Sequence, residues 1–255
     1  MLIINGKISE EETIVADRGY YFGYGVFETI LVKNNKPVLL DKHLSRLNNS
    51  MKLIGINNLV SKEEVLSALN SIIESEYALK INVSEKNKIF STRQIPYKKE
   101  DYIKGFKLKI SSITRNPQSH ITYIKSMNYL DNMIEREQAI KEGFQEVVFL
   151  NNKGAVSECS TSNIFFIKEG KIRTPHIKTG LLNGIVRQWV LHNYQVEEGS
   201  FTLRDILEAE GVFLTNSLIG IMKVSFIDKT EIKSSMIIND IQKNYINFLE
   251  EVTNE

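Results

Sequence analysis

The chain has 255 residues, 42% of them hydrophobic and 25% charged, enough for one large globular domain or two smaller ones. Its 32 Lys and Arg against 31 Asp and Glu leave a net charge of +1, which gives no overall basic field for nucleic acid or an anionic membrane. A lone cysteine, Cys159, excludes an intrachain disulfide, and His43, His120, His176 and His192 lack metal-ligand spacing.

The start, "MLIINGKISEEE", turns acidic after a short apolar run, unlike a secretory signal. No run approaches the roughly 18 apolar residues of a membrane span, so a cytoplasmic protein is expected. "LIINGKIS" reads as a hairpin turning at Asn5-Gly6, and "VFETILVKNNKPVLL" as a second one through Asn34-Asn35. "DKHLSRLNNSMKLIGI" has helical spacing, with Asp41 as the expected cap and Gly55 as the stop. Ser61 and Glu64 form a capping box ahead of "VLSALNSIIES". "YALKINVS" and "KNKIFSTR" read as a strand pair, and "FKLKISSI" as another strand.

The polar "TRNPQSH" is the expected linker, residues 114–120, between an N-terminal α+β domain (1–113) and a C-terminal domain (121–255). The second half reads as a helix closing on Gly143, a strand pair from Glu146, and a hairpin at Glu169-Gly170. A helix follows from "LNGIVR", then a short helix opened by Thr202, strands over "GVFLTNSLIGIMKVSFID", and a C-terminal amphipathic helix.

No P-loop, dinucleotide fingerprint or nucleophile elbow is present. Three features suit an anion: the helix start at "NGIVR", with amides at Ile185 and Val186, then Arg46, then "LTNSL" with Ser217. Each also has a plainer reading as a capped helix, a surface charge or a turn. Glu158, followed by small polar residues, reads either as a solvated turn or as a carboxylate facing a protonated ring nitrogen. Cys159 reads as a buried filler.

Together, "ADRGYYFGYGVFETI", "KHLSRL", "KSMNYLDN", "EVVFLNNKGAVSECSTSNIFFI", "TGLLNGIVR" and "GVFLTNSLIGI" resemble, in order, the class IV (fold type IV) pyridoxal-phosphate enzymes. The likeness runs from about residue 2 to residue 225. It implies a small N-terminal α/β sandwich, a larger C-terminal pseudo-barrel that binds pyridoxal 5′-phosphate, and a homodimer. It also implies roles. Lys125 would bond the cofactor aldehyde and act as the base. Glu158 would pair with the pyridine nitrogen. Arg46, the amides of Ile185 and Val186, and Ser217 would hold the phosphate, with Tyr129 near the 3-oxygen.

Within the family the chain departs from branched-chain aminotransferases, reading Lys-x-x-Asn-Tyr at 125–129 and Phe-Glu-Thr at 27–29. It also lacks the Arg-x-His pair of the D-amino-acid enzymes, since no histidine lies two residues after Arg93. "FET", "NYL" and "TNS" resemble the 4-amino-4-deoxychorismate lyases, which place a hydroxyl at Thr29 near the reacting carbon. The implied reaction turns 4-amino-4-deoxychorismate into 4-aminobenzoate and pyruvate, a step of folate biosynthesis, with Phe27 and Arg93 at the substrate. An aminotransferase acting on D- or branched-chain amino acids is the alternative, and a scaffold without cofactor the third reading. Tyr24 and Lys223 stand where the family has Asp and Pro.

Overall fold

The computed structural model describes residues 1–8, 13–70, 72 and 74–254. They form an α+β fold in two compact units. The first comprises Met1–Pro96, Ile124–Asn128 and Leu249–Glu255, the second Tyr97–Tyr123 and Tyr129–Phe248.

Among these residues the first unit holds a six-stranded antiparallel sheet. Its strands are β1 (Leu2–Ile4), β2 (Lys7–Ile8), β3 (Val26–Lys33), β4 (Lys36–Pro37), β5 (Glu76–Val83) and β6 (Lys88–Arg93), in the order β2-β1-β6-β5-β3-β4. Both expected hairpins form. Asn5, Gly6, Asn34 and Asn35 all take left-handed φ values, 50°, 81°, 50° and 59°, the turn geometry whose twist matches the strands it joins. The helices are α1 (Arg18–Phe22), α2 (Leu40–Leu53) and α3 (Lys62–Leu69). One sheet face, with Val26, Ile30, Val32, Leu79, Ile81 and Val83, packs against Leu44, Leu47 and Met51 of α2. Period-2 alternation turns Phe27 and Thr29 to the other face.

The second unit holds α4 (Lys99–Lys104), β7 (Phe106–Arg115), α5 (Leu130–Lys141), β8 (Glu146–Asn151), β9 (Val156–Cys159), β10 (Asn163–Lys168) and β11 (Lys171–Pro175). These are followed by α6 (Ile185–Asn193), β12 (Val196–Gly199), α7 (Leu203–Leu207), β13 (Gly211–Asn216), β14 (Gly220–Ile227), β15 (Thr230–Glu231) and α8 (Met236–Asn254). The strands form a curled mixed sheet in the order β12-β11-β10-β13-β14-β7-β8-β9, with β15 on β14. Its core includes the stacked pair Phe165 and Phe213, both 0% exposed, with ring centroids 4.9 Å apart.

Three expectations need correction. The division falls after Pro96, not at 113, because β7 pairs in parallel with β8 and β14, and such long-range pairing leaves no local signal. Thr114 and Arg115 of the expected linker end that strand, opposite Leu150 and Asn151. Asp41 does not cap α2; Leu39 does so in a left-handed conformation (φ 54°), and Asp41 lies in the first turn. Helix α1, not foreseen, is capped by Asp17, whose carboxylate accepts from the amides of Gly19 (2.8 Å) and Tyr20 (3.3 Å).

Candidate active site

In the first unit, residues 125–127 run antiparallel beside the start of β3. The Phe27 amide donates to the Lys125 carbonyl at 2.8 Å, and the Met127 amide to that of Gly25 at 2.9 Å. Lys125 Nζ thereby lies 4.4 Å from the centroid of the Phe27 ring, a cation–π contact. Asn128 Nδ2 donates to the Gly23 carbonyl at 2.9 Å. Gly23 has φ 65°, and a Cβ there would meet Asn128 Oδ1 at 2.8 Å, so the lysine segment requires glycine at that position. Tyr24, beside it, gives its hydroxyl to the Ile54 carbonyl at 2.5 Å and carries the Arg18 guanidinium 4.1 Å over its ring.

Arg46 donates from Nε (2.6 Å) and Nη2 (2.7 Å) to the two oxygens of Glu28, and His43 Nδ1 is 2.7 Å from Glu28 Oε2. Glu28 and His43 are 0% and 1% exposed. Burial alone would raise the Glu28 pKa, but Arg46 and His43 bring it down to about 2. Burial lowers that of His43. Arg46 is therefore an oriented guanidinium and not a solvated surface charge. Arg93 ends β6, exposed, on the sheet face of Phe27 and Thr29.

In the second unit, Tyr129 donates its hydroxyl to the Ser160 carbonyl at 2.7 Å, and Asn132 Nδ2 donates to the same oxygen at 2.5 Å. Burial, then the charges of Glu158 and Glu146, push the Tyr129 pKa up. Glu158 accepts the Leu182 amide on Oε2 at 3.0 Å, and its Oε1 lies 3.4 Å from Arg115 Nε. Arg115 stacks 3.9 Å over the Phe149 ring and gives Nη1 to Asn132 Oδ1 at 3.0 Å. Glu158 is thus held by two groups and is not a solvated turn residue. Burial pushes the Cys159 thiol up, as befits an inert filler.

Gly184 caps α6 without a side-chain hydrogen bond, so the amides of Ile185 and Val186 open a helix whose dipole favours an anion. A Cβ on Gly184 would meet Asn163 Oδ1 at 2.1 Å, while Asn163 Nδ2 donates to the Leu182 carbonyl at 2.8 Å. Ser217 lies in a turn shaped by Asn216, whose Oδ1 accepts the Leu218 and Ile219 amides, both at 2.9 Å. Asn216 Nδ2 reaches the Thr161 carbonyl (3.2 Å) and Ser162 Oγ (3.1 Å). Loop 182–184 and turns 160–162 and 216–219 are therefore fastened to one framework.

The structure places Phe27, Thr29, Arg46, Arg93 and Lys125 in the first unit, and Tyr129, Glu158, Ile185, Val186 and Ser217 in the second. Residue-level reading passed over Glu28, Arg115, Glu146, Asn163 and Asn216. A signal existed for Glu28: it falls on the apolar period-2 face of "VFETILV", where a carboxylate needs a partner, and "HLSR" offers two at helical spacing. Arg115 and the asparagines carry no such signal.

The model of the family described as amino-transferase class IV matches residues 25–227. An aminodeoxychorismate lyase of Bacillus subtilis (strain 168) is 31% identical, covering 90% of this chain and 87% of that protein. A D-alanine aminotransferase of Listeria monocytogenes serotype 4b (strain F2365) is 28% identical over 91% and 89%. The solved structure of 4-amino-4-deoxychorismate lyase from Pseudomonas aeruginosa has a TM-score of 0.86 at 22% identity, covering 96% and 97%, a likeness of fold. The chain belongs to the class IV aminotransferase family. It is accordingly a pyridoxal-phosphate-dependent enzyme, of either the aminotransferase or the lyase type. No helix among the described residues is long and apolar enough to cross a membrane.

Proposed function

We propose that the chain is a cytoplasmic, homodimeric lyase that converts 4-amino-4-deoxychorismate to 4-aminobenzoate and pyruvate. The observation that carries this reading is the sheet face beside Lys125. There Phe27 offers a ring without a hydroxyl, and Thr29, two residues on, a hydroxyl where the branched-chain enzymes have glycine. The lyase relative at 31% identity agrees with it. The homodimer is supported by Tyr20, Tyr21 and Phe22, three successive aromatics 68%, 64% and 71% exposed.

The residues suit a phosphorylated pyridine aldehyde. An uncapped helix start and the Ser217 hydroxyl suit a phosphate, the held Glu158 carboxylate a protonated ring nitrogen, and the Lys125 amine an aldehyde. Bound, the group supplies an electron-poor ring that stabilises negative charge on the substrate carbon bearing the amine. Glu158 keeps the ring nitrogen protonated, with Arg115 and the Leu182 amide orienting its carboxylate. Arg46, Ile185, Val186 and Ser217 would bind the phosphate, and Tyr129, its hydroxyl given to the Ser160 carbonyl, would lie near the 3-oxygen. The Lys125 amine takes the proton from the amine-bearing carbon. The bond from the neighbouring carbon to the enolpyruvyl oxygen then breaks with its electron pair on the oxygen, the substrate ring becomes aromatic, and the leaving enolate takes up a proton on its methylene carbon to become pyruvate. Thr29 assists that proton transfer.

The test supplies 4-amino-4-deoxychorismate in one assay, and D-alanine or leucine with 2-oxoglutarate in another. Fluorescent 4-aminobenzoate in the first and no glutamate in the second supports the lyase. Glutamate without 4-aminobenzoate makes the protein an aminotransferase. Lys125→Ala should lower the rate by about 10³-fold.

A further inference from the structure

The first unit carries two cations, Lys80 and Arg93, that no carboxylate balances among the described residues. Lys80, on β5, is half-buried and sits on the sheet face away from the core, directly across from Thr29 on β3 and Ser91 on β6. Its Nζ is 5.1 Å from the centroid of the Phe27 ring, the ring that Lys125 Nζ approaches to 4.4 Å. Arg93 follows two residues after Ser91 on the same face. Burial, and then repulsion from Arg93, push the Lys80 pKa down. Glu28, though on β3, faces the core side and is committed to Arg46 and His43.

A lysine half out of water beside an arginine is unfavourable unless an anion joins it. Because the described residues supply none there, the anion comes with the ligand. Lys80 and Lys125 both reach the Phe27 ring, so a flat ring with an amine at one end and a carboxylate at the other can lie along it. We propose that Lys80, together with Arg93, forms the subsite for the ring carboxylate of the substrate, making Lys80 a specificity-determining residue. This rests on the lyase reading and adds to it. The same charges would reject an amino acid with a neutral side chain, which leaves the pair unbalanced.

The test measures binding of 4-aminobenzoate, aniline and pyruvate to the holoenzyme by calorimetry, for wild type, Lys80→Met and Lys80→Arg. 4-Aminobenzoate keeps only the ring carboxylate, aniline lacks it, and pyruvate carries the carboxylate of the leaving side. The expected result is that wild type binds 4-aminobenzoate well and aniline at least about tenfold more weakly. Lys80→Met should lose about tenfold for 4-aminobenzoate and nothing for pyruvate, while Lys80→Arg keeps most of the affinity. In turnover the loss should fall on KM more than on kcat.

Equal binding of 4-aminobenzoate and aniline by wild type, or unchanged 4-aminobenzoate binding by Lys80→Met, overturns the subsite. So does a Lys80→Met loss confined to pyruvate, which would assign the lysine to the other carboxylate. If wild type makes no 4-aminobenzoate, the lyase reading falls, yet the contrast between 4-aminobenzoate and aniline still decides the subsite. An unchanged melting curve for Lys80→Met separates a binding loss from misfolding.

Discussion

Glu28 in the first unit and Glu146 in the second are 0% and 1% exposed, and they are satisfied by opposite means. Glu28 meets the charge of the Arg46 guanidinium, with the His43 ring nitrogen 2.7 Å from its Oε2. Glu146 meets neutral donors: the amides of Val147 (2.9 Å), Ser160 (3.1 Å) and Thr161 (3.0 Å), and the hydroxyls of Ser160, Thr161 (2.6 Å) and Ser162 (3.2 Å). The first arrangement fixes α2 against β3 and makes that packing sensitive to pH. The second shapes the turn after Glu158, whose Ser160 carbonyl receives Tyr129 and Asn132. Charge pairing joins two elements; a ring of neutral donors moulds one loop.

The sharpest way to break this contrast is Glu28→Ala. It removes the carboxylate from a partly buried guanidinium and a buried imidazole, and chemical denaturation should show a loss of about 3–5 kcal/mol. A loss below about 1 kcal/mol would mean the charges are not needed there.

Acid should reach the same pair next. With its pKa at about 2 folded against an ordinary 4.5, Glu28 stabilises the fold fully above about pH 4.5 and loses that contribution as pH falls toward 2. The full loss is roughly 3 kcal/mol. The lowered pKa of His43 acts in the same direction: the unfolded chain takes up its proton first, so stability falls as pH drops below about 6.5. Denaturation midpoints at several pH values, compared with those of Glu28→Gln, should show a shallower acid slope in the variant.

Glu146→Gln should cost about 1–3 kcal/mol, since its amide nitrogen would face donors and not acceptors. It should also weaken uptake of pyridoxal phosphate by the apoprotein, because Asn216 and Tyr129 both anchor to turn 160–162. Normal uptake would separate the turn from the cofactor. The smallest effect expected is that of Tyr24→Phe, which removes one hydrogen bond to Ile54 and should cost about 1 kcal/mol by thermal melting.

Much of the first unit was legible because its signals are local. Asn5-Gly6 and Asn34-Asn35 allow the left-handed φ values their hairpins require, and Ser61 with Glu64 closes a capping box within four residues. The lysine segment was legible as a motif, and Asn128 bound to Gly23 supplies a physical reason for its spacing. Asp41 failed as a cap because an aspartate near a helix start serves the first turn equally well.

What the residue order settled on its own was local geometry and the family, since turns, caps and short motifs act through neighbours along the chain. Tertiary structure alone decided that β7 belongs to the second sheet, and that Arg115 and the Leu182 amide hold Glu158. Those facts depend on hydrogen bonds and charges between residues tens of positions apart, whose proximity no local pattern encodes.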